Sequence, residues 1–585
     1  MLVSMYVARV PNRGSPPAVL LRESYRDHGK VKTRTLANLS HWPPEKLAAF
    51  EAGLRGLPPD GGLGLLAEAF EVARSLPHGH VAAALGTLRL LGLEELLDAE
   101  HSRLRDLATA LVVARVVEPA PKLATARGLR VETASSSLGQ LLGVARADED
   151  DLYDAMDWML GRQAKVEDAL AARHLSEGTL VLYDVSSAAF EGKCCPIAKL
   201  GYARDGVRGR LQVVYGLLTS KEGVPVAVEV FEGSTGDPDT VAAQVEKVKR
   251  RFRLNHVVLV GDRGMLTMAR IDKDLAPAEL EWVTALRAPT VRSLAEGGYL
   301  QLSIFDETDM AEISHPDFPG ERLVLCRNPA LAAERARKRD ELLTATEAKL
   351  AEVKAAVERE RNPYRGEAKI AMRVARDAWK YKMAKHFRLA INDDSFSYER
   401  DEASIAGEKA LDGIYVVRTN VASDQLSPGE VVSSYKRLAN VERAFRILNG
   451  DLDVRPIHHR NTDRVKAHFF LCMLAHYVEW HMIDRLAPLL FVDENKEAAE
   501  AARKSPVAPA QRSAAGKAKD RSKRDAEGQP VHSFATLLED LATVCLNRIK
   551  PTDPRLPAFD KLTVPTPLQR RAFELLEVSP RLGAA

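Results

Sequence analysis

Three acids in this 585-residue chain stand where a carboxylate could do chemistry. Asp184 closes the apolar run Thr179-Leu-Val-Leu-Tyr-Asp-Val185, and Asp262 follows the run His256-Val-Val-Leu-Val260 within Gly-Asp-Arg-Gly264. Both runs read as strands, and the second is apolar without alternation, as expected of a strand covered on both faces. If the two strands are sheet neighbours, both carboxylates emerge together. Close carboxylates repel unless one is protonated or a cation bridges them. Mg²⁺ is the natural bridge, since it takes few carboxylates and keeps positions open for water and phosphate oxygens. Glu442 is the third candidate. It lies seven residues after Tyr435 and four before Arg446, which on one continuous helix puts all three on one face. An acid between a phenol and a guanidinium suits a metal ligand beside phosphate-binding groups. Plainer readings stand beside these: Asp184 as a strand end, Asp262 as a turn residue before Gly264, Glu442 as the partner of Arg446.

The elements that must position the acids follow from periodicity. Residues 178–287 read as α/β in the order three hairpin strands, helix, strand, helix, strand, with Leu211–Leu218 and Pro225–Phe231 as the second and third strands. Asp237-Pro238 is expected to supply a helix N-cap and first-turn proline. Residues 288–420 are expected not to continue that sheet. They show short strands at 302–305 and 321–326, then an αα-hairpin with a first helix over 330–360 and a second over 366–386. A solvated helix pair and a dimerising or DNA-touching arm both fit that hairpin. Residues 62–176, beginning with the 66–74 run, show helical spacing. The stretch 494–530 lacks apolar periodicity and reads as flexible, and a last helix is expected over 534–549.

Composition narrows the class. Apolar residues make up 45% and charged residues 28%, as in a folded globular chain. With 83 Lys and Arg against 81 Asp and Glu, the net charge of +2 points to no partner, so any nucleic-acid surface must be local. Basic residues do cluster, as Arg9, Arg13, Arg22, Arg26, Lys30, Lys32 and Arg34 show. A β-hairpin is expected there, either a solvated edge or a DNA-contacting arm. Five Cys without C-x-x-C spacing exclude a disulfide scaffold and common zinc knuckles, and no apolar span approaches ~18 residues. A reducing, cytoplasmic setting is expected. His78 and His80 lack a nearby third metal ligand in sequence. Trp282 and Trp379 fit core packing better than base stacking.

Several motifs occur in order: Tyr183-Asp-Val-Ser-Ser187, Gly201-Tyr-Ala-Arg-Asp-Gly206, Gln212-Val-Val-Tyr-Gly-Leu217, Phe231-Glu-Gly-Ser-Thr-Gly-Asp237, Val260-Gly-Asp-Arg-Gly-Met265, Asp412-Gly413, Val441-Glu-Arg-Ala-Phe-Arg446, Val454-Arg-Pro-Ile-His-His459 and Ala467-His-Phe469. In these the chain resembles the DDE insertion-sequence transposases of the family-four superfamily across most of residues 178–480. The resemblance departs at two points: the family's Arg and Lys around the glutamate are Leu438 and Asn449 here.

The resemblance implies an RNase H-like α/β catalytic core with a mixed β and helical-hairpin insertion, flanked by an N-terminal helical region and C-terminal helices. Its divisions are a basic β-hairpin arm (1–50), a helical DNA-binding or dimerisation region (51–177), the first core part (178–287), the insertion (288–420), the last core part with the Glu442 helix (421–490), and a flexible basic segment with a C-terminal helix (491–585). It implies Asp184, Asp262 and Glu442 as catalytic, metal-holding residues with Mg²⁺, or Mn²⁺ in its place. Expected DNA contacts are Tyr435, Arg437, Arg443, Arg446, Lys199, Arg204, Arg208 and Arg210. The implied activity is cleavage of element ends and joining of the 3′-hydroxyls to target DNA by a homodimer on double-stranded DNA, in a bacterial cytoplasm at the nucleoid. Two alternatives are a DNA nuclease of the same fold that never joins ends, and a catalytically silent DNA-binding descendant.

Overall fold

The basic N-terminal stretch folds as a three-strand meander, one strand more than the expected hairpin. β1 (Ser4–Asn12) pairs with β2 (Ser15–Asp27), and β2 with β3 (Lys30–Asn38), all antiparallel. The computed structural model of the chain describes residues 4–12, 14–27, 30–55, 69–192, 194–204, 206–300, 305, 308–503 and 505–582. Leu21, Ala37 and Leu39 pack with Trp42 and Phe50 around the helix Pro44–Leu54 as a small core of their own. Arg9 pairs with Glu51 and Arg34 with Glu23, so part of the local basic excess is balanced internally.

The 66–74 pattern forms no helix where it is described. β4 (Phe70–Pro77) is a strand, and residues 66–68 lie outside the described residues. Helices then run from Gly79–Leu90 to Gln163–His174, and their apolar faces share one hydrophobic core with the central sheet. His78 is buried, with Nδ1 on Ser137 Oγ (2.8 Å) and Nε2 on the Pro580 carbonyl (2.6 Å), a structural arrangement without metal character.

The β-branched and aromatic runs from Leu180 onward build a large mixed sheet within an α/β fold. β5 (Leu180–Ala189), β6 (Gln212–Ser220) and β7 (Pro225–Glu232) form an antiparallel meander. β8 (Val258–Val260) lies parallel to β5, and β9 (Glu281–Ala285) parallel to β8. Asp237 does not cap a helix. It is the first residue of the 3₁₀ turn Asp237–Thr240, behind Gly236, and its carboxylate goes elsewhere, as described below.

The insertion, contrary to expectation, extends this sheet. β10 (Met310–Ile313) and β11 (Arg322–Arg327) join it through β14 (Ile414–Thr419), the strand on which the chain returns, so that the order is β10-β11-β14-β9-β8-β5-β6-β7. The expected strand at 302–304 lies outside the described residues. Between β11 and β14 the helices Pro329–Val357 and Glu367–Asp377 pair along Leu343, Leu350, Val353, Ile370 and Val374. The second helix is shorter than expected and gives way to 3₁₀ turns before His386. The hairpin of β12 (Phe387–Ile391) and β13 (Phe396–Arg400) covers that seam with Phe387 and Phe396. Arg339 donates to Asp412 and ties the long helix to the turn that starts β14 (Ile414–Thr419). Gly413 in that turn has φ +76, and a Cβ there would lie 2.4 Å from the Asn328 carbonyl oxygen. Trp282 is buried in β9, and Trp379 packs against the insertion's core.

The C-terminal region departs most from expectation. The 494–530 stretch contains the helices Lys496–Ala501 and Ala514–Ser522 and is fastened by one lysine of its own and one from the helix Pro428–Lys436. Lys519 donates to the Ala487 carbonyl (2.9 Å) and to Glu494, and Lys436 donates to the carbonyls of Pro506, Val507 and Ala508. The expected 534–549 helix ends at Ala542. β15 (Cys545–Pro551) follows and pairs with β4 on one side and β16 (Phe559–Leu562) on the other, and the helix Pro567–Leu576 comes last.

The helix Thr462–Arg485 is buried on nearly every side and packs against β7 and the helices Arg103–Val117 and Glu149–Leu160. It carries a buried acid, Glu479, whose two oxygens have no partner among the described residues. Burial pushes this carboxyl from 4.5 up to about 8, with Asp451 adding to the rise. Between those values the folded state keeps a proton that the unfolded state has released, so stability falls as pH rises through that window. Glu479→Gln should therefore gain on the parent protein by about 1–3 kcal/mol between pH 5 and pH 8 in denaturant unfolding. Parallel pH profiles for the two proteins would contradict this.

Candidate active site

Strand register places the first two acids side by side. In the parallel pair, Leu182 of β5 lies opposite Val260 of β8. Asp184 and Asp262 each come two residues further on and so share a level, Asp184 midway along β5 rather than at the expected strand end and Asp262 in the turn after β8. Neighbouring strands lie about 4.7–4.9 Å apart. Asp184 is partly buried, and its Oδ1 accepts from the Val185 amide (2.8 Å). Burial raises its pKa to about 7, and the charges of Asp262, Glu442 and Asp237 push it further the same way. Four acids thus bear on one point.

Asp262 is held from both sides. Its Oδ2 accepts from the Gly264 amide (3.1 Å), and its Oδ1 accepts from the Tyr435 hydroxyl (3.2 Å). Burial and the Asp262 charge raise the Tyr435 phenol well above its ordinary pKa, so it remains a donor. Tyr435 and Glu442 are not on one continuous helix. A break at Arg437 separates Pro428–Lys436 from Leu438–Gly450. The second helix lays Val441, Ala444, Phe445 and Leu448 against the sheet, with the Phe445 ring edge-on to Tyr215 at 5.3 Å. Glu442 stands on the exposed side of that helix beside Arg443. It makes no ion pair with Arg446 among the described residues.

The expected DNA contacts divide into two groups. Arg437, Arg443 and Arg446 keep guanidinium groups without an ion pair among the described residues, and the last two are exposed. Lys199 and Arg208 are also exposed and without an ion pair among the described residues. Arg204 is different: its side chain is 10% exposed and donates to Asp237 (Nε, 2.7 Å) and to the Thr235 carbonyl (3.1 Å), while its amide donates to Ser187 Oγ (2.8 Å). Arg204 therefore neutralises Asp237 inside the fold, in place of the DNA contact expected of it. Arg210 pairs with Glu191. The two departures from the family pattern are also built into the fold, because Leu438 is a core residue and Asn449 accepts from the Tyr215 hydroxyl (3.4 Å).

Two further residues belong to the site's construction. Asp237, read from sequence only as a cap, is the fourth acid. The motif Phe231–Asp237 was the available signal. Gly216 lies where β6 passes the Tyr183 ring, and a Cβ there would sit 2.3 Å from the Tyr183 hydroxyl, next to Asp184. That close approach accounts for the glycine in Gln212–Leu217.

The donors fit a divalent cation in kind, being carboxylate oxygens with one partly buried acid raised by its neighbours. Among the described residues, no three His, Cys, Asp or Glu side chains close tightly enough round one point to hold an ion as they stand. Asp184 and Asp262 instead place oxygens on backbone amides.

The chain thus sets Asp184 midway along β5, Asp262 just past β8 and Glu442 on a helix packed against the same mixed sheet. In comparison with known families, residues 198–478 match the transposase DDE domain family, and residues 7–60 match the N-terminal domain of the IS1634 family transposases. The chain belongs to the DDE insertion-sequence transposases. The first match takes in Asp262 and Glu442 and begins beyond Asp184. No curated protein matches the chain. Transposases act on DNA, and this family generally uses divalent metal ions. No helix among the described residues is long and apolar enough to cross a membrane.

The Arg204 assignment is open to a direct check. Arg204→Ala should lower stability by about 1–3 kcal/mol, because Asp237 loses a charged hydrogen-bond partner. Arg208→Ala should stay within about 0.5 kcal/mol of the parent. Equal effects in thermal unfolding would return Arg204 to the surface group.

Proposed function

We propose that the chain cuts DNA at the ends of an insertion sequence and joins the freed 3′-hydroxyls to target DNA, using an RNase H-like core. The observation that carries this reading is the Leu182–Val260 register, which sets Asp184 beside Asp262 with the charge of Glu442 felt at the same point. The sheet supports it: a three-strand antiparallel meander extended on the side of its first strand by two parallel strands, β8 and then β9.

Asp184, Asp262 and Glu442 are the residues that would hold Mg²⁺, or Mn²⁺ in its place. When bound, paired divalent ions activate the attacking oxygen and stabilise the leaving oxygen of an in-line displacement. The chain's own part is orientation. Asp184 would offer its second oxygen while Oδ1 accepts from the Val185 amide, and Asp262 the remaining lone pairs of its two oxygens. Tyr435 donates to Asp262 and fixes the direction of the remaining lone pairs. Arg443 and Arg446 on the Glu442 helix, and Arg437 just before it, have no ion pair among the described residues and offer cations to backbone phosphates, in place of the Arg and Lys absent at 438 and 449. Because two ends must be joined, the working form is a homodimer on paired ends.

The test combines purified protein, Mg²⁺, a donor carrying the element's ends and a target plasmid. Asp184→Ala, Asp262→Ala and Glu442→Ala should each lose cleavage and joining together by about 10³-fold, since several kcal/mol of charge stabilisation is removed. Products cleaved but never joined would favour a nuclease of the same fold. Cleavage and joining left unchanged in all three variants would sink the assignment.

A further inference from the structure

The motifs at 454–459 and 467–469 are not used by the acid cluster. They line a cavity of about 460 Å³ between the Pro119–Lys122 loop, the helices Arg103–Val117 and Glu149–Leu160, and the start of the helix Thr462–Arg485. Its lining carries five Arg or Lys side chains against one carboxylate, Asp453, so its interior is strongly positive.

Two of those cations are buried. Lys122 is 4% exposed and has no hydrogen bond or ion pair among the described residues. Arg115 is 6% exposed and donates only to backbone carbonyls, those of Ala120 (3.2 Å) and Leu452 (3.4 Å). His468 gives one ring nitrogen to the Val454 carbonyl (2.9 Å), and its buried Nδ1 has no partner among the described residues. The mutual repulsion is visible in the titration behaviour. Burial together with Arg115 lowers the Lys122 ammonium to about 7, and burial with Lys122 and Arg464 lowers His459 to about 4. An unpaired buried ammonium is costly to a fold unless an anion compensates it.

The rest of the cavity suits a phosphate. Asn461 lines it and caps the 24-residue helix Thr462–Arg485, whose positive N-terminal end adds to the field. Tyr153 forms an aromatic wall, with the Arg464 guanidinium 4.5 Å over its ring and the His459 ring edge-on at 6.0 Å. The volume lies in the range of small-molecule sites.

We propose that this cavity binds a phosphate group, with Lys122 and Arg115 as its charged contacts. A phosphodiester of a bound DNA strand and free inorganic phosphate share that chemistry. Neither requires the acid cluster, so the site stands or falls independently of the proposed catalysis.

Thermal unfolding of the full chain in phosphate, against chloride at equal ionic strength and without metal, tests the site. The parent protein should rise by about 1–2 °C at ten times the dissociation constant. Lys122→Met should lose the rise without unfolding, since it removes an unpaired buried charge, and Lys122→Arg should keep it. Asp184→Ala should also keep it, which separates this site from the acid cluster. The second arm measures duplex DNA binding against salt. If the phosphate comes from DNA, Lys122→Met weakens binding and lowers the salt slope by about one. If the ligand is free phosphate, DNA binding is unchanged while the thermal response is lost. The proposal is overturned if Lys122→Met responds to phosphate as the parent does, or if neither the phosphate response nor DNA binding depends on Lys122.

Discussion

Repulsion between a carboxylate midway along β5 and another just past the end of its parallel neighbour β8 is the constraint on which the site depends. β5 and β8 must pair in one register for the sheet to form, and that register brings Asp184 and Asp262 to the same level whether or not the fold gains from it. The protein compensates the repulsion only in part. Backbone amides take one oxygen from each acid, Tyr435 takes another from Asp262, and Arg204 neutralises the nearby Asp237. No guanidinium or ammonium among the described residues is placed on Asp184 itself. A site left short of positive charge is suited to a cation from solution, consistent with a family that generally uses divalent metals.

The remaining elements hold the third acid against that pair. The helix bearing Glu442 rests on β5 and β6 through Phe445 and Leu448, and Tyr215 is wedged between Phe445 and Phe469 of the long buried helix. Lys436, next to Tyr435, is pinned to the carbonyls of residues 506–508, so the basic C-terminal stretch braces the helix that positions the phenol. The insertion is fastened by the Arg339–Asp412 contact and the Gly413 turn, which return the chain to the sheet as β14 beside β9.

Local pattern was enough wherever local pattern decides the structure. The meander, the buried strand before Asp262, the α/β order and the αα-hairpin were legible because each is built from residues close in sequence. The failures are nonlocal. β4 pairs with β15, a partner at the far end of the chain, and neither strand makes sense without the other. β10 and β11 join the core sheet through β14, which returns only after the whole helical insertion. The 494–530 stretch looked loose because it lacks apolar periodicity, yet lysine-to-carbonyl bonds hold it, and composition gives no sign of these. In the site, residue type marked the acids as candidates but not which arginines face outward. Arg204 and Arg208 look alike in sequence, and only the position of Asp237 tells them apart.

The account rests on one claim, that Asp184, Asp262 and Glu442 act as a single cation-binding group on DNA. A crystal structure of the protein on duplex DNA carrying the element's end, soaked in Mn²⁺ and read by anomalous scattering, tests it most directly. The account predicts manganese held by all three carboxylates beside a backbone phosphate. Manganese bound elsewhere, or Glu442 turned to solvent, would contradict it.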